Sequence, residues 1–141
     1  MYTKFYGTDL TGRNFLESNL SYSVFDNADF TGAKFQVTKA HASDFSKAKS
    51  LVGTSWLGGN FSYSNLSGVN LSGAIMTATN FYHADLSGVD FTVTDVIGEG
   101  LIFNNANLSN SNFEGVDLAP KEKYMRVFEN AAYLIHGTAQ S

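Results

Sequence analysis

Large apolar residues recur every five positions along most of this chain, and few folds accept that spacing. The series runs Phe5, Leu10, Phe15, Leu20, Phe25, Phe30, Phe35, Ala40 and Phe45. After one extra residue it resumes at Leu51 and continues through Trp56, Phe61, Leu66, Leu71, Met76, Phe81, Leu86, Phe91 and Val96. A second slip, of two residues between Ile97 and Ile102, leads to Phe103, Leu108, Phe113 and Leu118. Eleven of the 12 phenylalanines fall on these 23 positions, which removes chance as an explanation. A period of five matches neither a helix nor a strand, so neither alone keeps these centres on one side. A bend once per repeat does, by turning every centre toward a common axis.

The neighbours of each centre fit that geometry. Two residues earlier stands a small side chain, as in Ala28, Ala33, Ser43, Ser64, Ala74, Ala84, Ala106 and Ser111. The exceptions, Arg13, Lys49 and Leu101, lie in the first turn and at the two slips. Asn or Asp usually precedes the centre, and Ser or Thr followed by Gly often comes after it; these residues favour local turns. Fixed-period self-similarity of this kind marks a solenoid whose units bury their apolar faces only by stacking. Ser62, one position past a centre, is expected to face solvent, and Phe61 is expected to fill part of the hole left by Ala40.

The segments GVNLSGA, HADLSGVDF, NANLSNSNF and TDLTGRNF resemble the pentapeptide-repeat family, whose consensus is A(D/N)LXX. The resemblance covers about Thr3 to Ala119 and implies an all-β fold, a right-handed quadrilateral β-helix with four pentapeptides per coil. Placing the centres on the four faces that the resemblance implies gives four inward ladders, in just under six coils. At about 4.8 Å per coil the rod is roughly 28 Å long.

Residues 1–119 thus form one repeat domain, and Pro120 ends the pattern. Residues 120–136 read as an amphipathic helix with Tyr124, Phe128, Ala131 and Ile135 on one stripe, followed by a tail over 137–141. An open solenoid end exposes core and strand edges. The helix is therefore expected to cap the last coil, to form a homodimer, or both. The uncovered N-terminal coil is a second candidate for self-association.

Among 141 residues there is no cysteine, which removes disulfides, thiolate metal sites and cysteine nucleophiles together. No apolar run approaches the roughly 18 residues of a membrane span, and the start lacks a secretory core. A cytoplasmic protein without a membrane role is expected. HExxH, P-loop, GxGxxG and GxSxG motifs are all missing, so neither an enzyme nor a cofactor is expected. His41 and His83 fall in different repeat positions without a carboxylate beside them at the corner, which disfavours a metal. Asp85, Asp90 and Asp95, spaced by five, point from successive faces and cannot pair for acid–base hydrolysis.

Two surface features remain. Tyr22, Tyr63, Tyr82, His41 and His83 gather at the corner after the fourth ladder, where Tyr63, Tyr82 and His83 make a candidate aromatic contact patch. Charge is also divided. Residues 1–49 carry net +1, residues 50–120 carry six acids and no Lys or Arg, and residues 121–141 carry net +1. The acids Asp85, Asp90, Asp95, Glu99, Glu114 and Asp117 are candidate partner-binding residues, with Asp95 and Asp117 expected as vertical neighbours. A basic nucleic-acid groove does not fit this distribution. The expected function is a non-enzymatic binding or scaffold module that meets a protein partner through an acidic rod.

The family also includes acidic, DNA-shaped rods that inhibit gyrase and protect it from quinolones. The resemblance thus implies an alternative, a DNA mimic directed at a type II topoisomerase. Six acids are sparse against the about 16 duplex charges over such a length. A regular row, Thr11, Thr31, Ser72 and Thr92, hints at binding to an ordered surface such as ice, but Val52 and Glu114 interrupt it.

Overall fold

The computed structural model describes residues 3–94, 96–97, 100–116 and 135–136. Over this span the chain winds as a four-sided column, and parallel bridges join each side to the same side of the next coil. Residues just before the apolar centres form the bridges. On face one these are Lys4, Val24, Asp44, Asn65, Asp85 and Asn107. Face two pairs Asp9 with Asp29 and Ser50, and further up Asp90 with Asn112. Face three pairs Asn14, Lys34, Ser55 and Ile75, and face four Asn19, Lys39, Asn60, Asn80 and Ile102. Bridge partners lie 20 residues apart in regular coils, 21 across the first slip and 22 across the second, as in Asp9 to Asp29, Asp29 to Ser50 and Asp90 to Asn112.

Pairing of this kind needs two backbone bonds per face. Phe25 N–H donates to the Asp44 carbonyl at 3.0 Å, and Asp44 N–H donates to the Ser23 carbonyl at 2.8 Å. Because side chains alternate along each short extended segment, the bridging residue points out while the residues on either side of it point in. The centres and the small residues two places earlier are accordingly buried together. Rings stack up the column: Phe25 lies 5.2 Å from Phe5 and 4.6 Å from Phe45, and Phe91 lies 4.3 Å from Phe113. Buried polar groups are satisfied locally. Trp56 Nε1–H donates to Thr54 Oγ1 at 2.6 Å, and Thr54 Oγ1–H donates to the Leu51 carbonyl at 2.7 Å.

The first slip is a six-residue corner between Phe45 and Leu51, where Asn27 N–H reaches the Lys47 carbonyl and the register recovers at Ser50. The second differs from the expected double insertion. A 3-10 turn at Phe91–Val93, whose N–H at Thr92 is capped by the Asp90 carboxylate, absorbs one residue. Strand β1 (Ile75–Met76) then pairs with β2 (Val96–Ile97) so that Ile75 faces Val96 and buried Met76 faces Ile97. Ile97, not Val96, therefore stands in the register of a centre, and the second extra residue lies between Ile97 and Phe103. Two adjacent β-branched residues look alike in a hydrophobic pattern; the capped turn decides between them.

Strand β3 (Ser111–Asn112) pairs in parallel with β4 (Ile135–His136), Ser111 facing Ile135 and Asn112 facing His136. Ile135 is thus extended rather than part of a helical stripe: the top edge of face two has open donors and acceptors, and the returning chain adds a strand to them. The rest of the expected helix, with Tyr124, Phe128 and Ala131, lies outside the described residues.

Candidate functional site

Among the described residues the centres and their small neighbours pack into one buried core, and the groups exposed to another molecule stand on the faces and corners. Each corner needs a residue in the left-handed conformation two places past the centre. The corner after face two uses glycine at every regular level, Gly12, Gly32, Gly53, Gly73 and Gly115, with φ between 65° and 70°. The corner after face four uses Tyr22, Ala42, Tyr63, His83 and Asn105 at φ between 52° and 62°. A non-glycine residue held there costs roughly 1–2 kcal/mol. The chain accepts that cost on three of its four corners, with Asn27 and Asn110 after face one and Glu17, Val37 and Ala78 after face three, but only after face four are the side chains so placed mostly aromatic.

Those rings form a continuous ridge. Tyr22 packs edge-on to His41 at 5.5 Å, His41 to Tyr63 at 5.3 Å, and Tyr63 stacks flat on His83 at 4.8 Å with only 4° between planes. Tyr82 closes the group, 5.7 Å from Tyr63 and 4.4 Å from His83. Tyr22 and Tyr63 keep about half their surface, 50% and 51%. Ser62 is not the solvent-facing residue the repeat suggests: it is buried beneath the ridge and its Oγ lies 2.9 Å from His41 Nδ1. The predicted patch of Tyr63, Tyr82 and His83 is therefore brought together, with Tyr22 and His41 extending it downward.

A second ridge does not emerge from the five-residue spacing. Leu16, Val37 and Leu57, all exposed, occupy successive levels of the corner that precedes face four. They stand where the repeat normally places Ser, Thr or Gly, and that substitution is the signal that marks them. Between the two ridges lies the row Asn19, Lys39, Asn60, Asn80 and Ile102.

The acids are arranged differently. Among the described residues every acid except Glu17 lies on face one, face two or the corner that follows each. Asp85 and Asp90 point from successive faces, as expected, and do not converge. Each is bound into its own turn: Asp85 Oδ1 accepts the Ser87 N–H at 2.9 Å, and Asp90 Oδ1 accepts both the N–H and hydroxyl of Thr92. Asn65 and Asn80 make the same bond to Ser67 and Tyr82, so the turn does not require a charge. Glu114 is exposed and sits one level above Thr92. Asp95, Glu99 and Asp117, and with them the expected Asp95–Asp117 pair, lie outside the described residues.

Near the N-terminal end Asp9 and Asp29 are bridge partners. The Thr31 hydroxyl and N–H hold the Asp29 carboxyl below its ordinary range, helped by Lys49 Nζ at 3.3 Å. Thr11 does the same for Asp9, against the repulsion of Asp29. Among the described residues no group of His, Asp or Glu could hold a metal, and no helix is long and apolar enough to cross a membrane.

The sequence model for pentapeptide repeats matches this chain in eight copies over residues 2–36, 60–92 and 99–119. The chain belongs to the pentapeptide-repeat family. Among solved structures, two trypsin-treated variants of QnrB1, a plasmid-mediated fluoroquinolone resistance protein, share the fold. One is 22% identical with a TM-score of 0.66, over 84% of this chain and 61% of that one. The other is 23% identical with a TM-score of 0.65, over 82% and 57%. This pentapeptide-repeat chain thus spans about 60% of the length of either, and the likeness establishes a right-handed β-helix. Curated protein sequences give no match.

Proposed function

We propose that this pentapeptide-repeat protein is a non-enzymatic interaction module of the cytoplasm, a stiff post that meets a protein partner along its side. The observation that carries the reading is the ring ridge at face four. Aromatic side chains are held half-exposed, in a strained backbone conformation, on the edge where glycine would fold more easily. Strained conformations persist where the surroundings over-determine them and cluster at functional positions, and Tyr at a surface supplies large contact area with a polar tip. A photocrosslinking residue at position 63, compared with one at Thr31 on the glycine-cornered edge, tests this in extract of the source cell. Protein adducts specific to position 63 support it. Equal adducts from both positions, or none from position 63, refute it.

A second reading rests on the segregation of acids to faces one and two. An acidic pair of faces on a β-helix of the QnrB1 type is suited to a cationic groove such as that of a type II topoisomerase. Inhibition of gyrase supercoiling that fades with salt supports it, and no effect at high micromolar protein opposes it. In either reading pairing with a second copy is a further expectation, which light scattering measures directly.

A further inference from the structure

The ring ridge is flanked on its face-one side by carboxylates, and their spacing defines a ligand. His83 and Asp85 both project outward, with buried Ala84 turned in between them. Bridges place Asp44, Asn65 and Asp85 in one vertical row, so the two carboxylates stand two coils apart, about 9.6 Å. Tyr63 belongs to the intermediate level, beside Asn65. Asp44 uses Oδ1 for the Ser46 N–H and hydroxyl, and Asp85 uses Oδ1 for Ser87 N–H and the Asn107 amide. In both, Oδ2 is left for an outside donor. Asn65 Oδ1 is likewise taken by Ser67, which leaves its amide NH2 to donate outward. Lys39 stands on face four of the second coil, Lys47 at the corner after Asp44 in the third and Lys4 at the foot of the same row, and residues 50–116 contain no Lys or Arg.

We propose that this strip, resting on the reading of the chain as a protein-binding module, docks an arginine-bearing polyproline II segment of the form Arg-x-x-Arg that lies along the column. Polyproline II has three residues per turn and rises about 3.1 Å per residue, so residues three apart face the same side about 9.3 Å from one another. That matches the Asp44–Asp85 separation, whereas in an extended strand residues three apart face opposite sides. The two guanidiniums meet Asp44 and Asp85, and the upper one also lies beside the His83–Tyr63 stack. The two intervening residues, best as proline, pack on Tyr63, as such segments do on aromatic surfaces elsewhere. Their carbonyls, which make no internal bonds, accept from the Asn65 amide. Arginine suits this better than lysine because its planar fork both pairs with a carboxylate and stacks on a ring.

The test is fluorescence anisotropy with a labelled proline-rich nonapeptide carrying two arginines three apart. Companion peptides carry them four apart or replace both with glutamine. Saturable binding tighter than about 100 µM is expected for the first peptide and at least about tenfold weaker binding for the others. Tyr63→Gly removes the ring but suits the backbone, so the protein stays folded by circular dichroism while affinity falls about tenfold. Asp85→Asn keeps the turn bond and lowers affinity about fivefold or more, with a weaker salt dependence. No saturable binding below about 1 mM, equal binding of the four-apart peptide, or unchanged affinity in folded Tyr63→Gly overturns the proposal. Adducts at position 63 together with failed peptide binding would reject this ligand and leave the broader reading standing.

Discussion

The ring of Phe61 occupies the space where a side chain on Gly59 would begin. A Cβ built on Gly59 stands 2.6 Å from Phe61 Cε2 and 3.1 Å from the Phe35 carbonyl oxygen. Phe61 leans there because Ala40, the centre below it, leaves a hole: the ring lies 5.8 Å from both Phe35 and Phe45, the centres on either side of Ala40, and 4.3 Å from Trp56. One small centre, one oversized neighbour and one glycine are a single packing solution spread over two coils.

Gly59→Ala is therefore expected to cost about 1–3 kcal/mol by overpacking, since one of the atoms it meets is backbone that cannot move aside. Phe61→Ala is expected to cost about 3–5 kcal/mol as a buried large-to-small change. In urea denaturation the double variant should cost less than the sum, because removing the ring relieves the Gly59 clash. Strict additivity would separate the two positions.

Much of this architecture was legible in the spacing alone. Five-residue periodicity assigned Phe25, Phe45 and their successors to the interior of a stacked solenoid and located the first slip, while four faces per coil and the hand of the winding came from the resemblance to the pentapeptide-repeat family. The filling of the Ala40 hole by Phe61 could be foreseen for the same reason. Val96 and Ile97 were not separable, since both are β-branched and apolar and only the turn capped by Asp90 fixes which one takes the register of Met76. Ser62 resembles any turn serine in sequence, and it is His41, contributed by the coil below, that closes over it. The added strand at Ile135 depends on a chain return, which no local pattern encodes.

The strained corners make an opposite pair of predictions. Val37 is exposed, β-branched and held at φ 53°, with its Cγ2 reaching toward the next corner level. Val37→Gly is expected to raise stability by about 0.5–1 kcal/mol, as relief of the left-handed strain outweighs the added chain entropy. Gly53→Ala, where φ is 69° and a Cβ would make only ordinary contacts, is expected to lower it by about 1 kcal/mol or somewhat more. Thermal midpoints moving the same way in both variants would contradict the assignment of these positions.

Acid should weaken the Asp29 turn. The carboxyl is held below its ordinary range in the folded chain, so it binds a proton less readily there than in the unfolded chain. Its contribution is complete above the ordinary carboxylate value near about pH 3.9 and is lost as the pH falls toward the depressed one. Asp29→Asn keeps an oxygen for the Thr31 N–H but cannot titrate. Urea midpoints measured from about pH 6 to about pH 2 should therefore fall less steeply for the variant than for the parent below about pH 4. Parallel curves would show that the Thr31 and Lys49 contacts do not hold the carboxylate in solution.

Asp85 and Asp90 allow charge to be separated from structure. Both use one side-chain oxygen for the N–H two residues on, as Asn65 and Asn80 do, and the further bonds of that oxygen, from the Thr92 hydroxyl to Asp90 and from the Asn107 amide to Asp85, are ones an amide oxygen also accepts, as Asn65 does from the Ser67 hydroxyl. Asp85→Asn with Asp90→Asn is accordingly expected to leave stability within about 0.5 kcal/mol per site while lowering the negative charge of the cation-free stretch by two. Any partner drawn to faces one and two must then associate more slowly at low salt, with the difference shrinking as ionic strength rises. An unchanged association rate for a partner that still binds would mean that these acids serve the turns and solubility alone. The partner's contacts would then lie with the rings on the far side of Ala84.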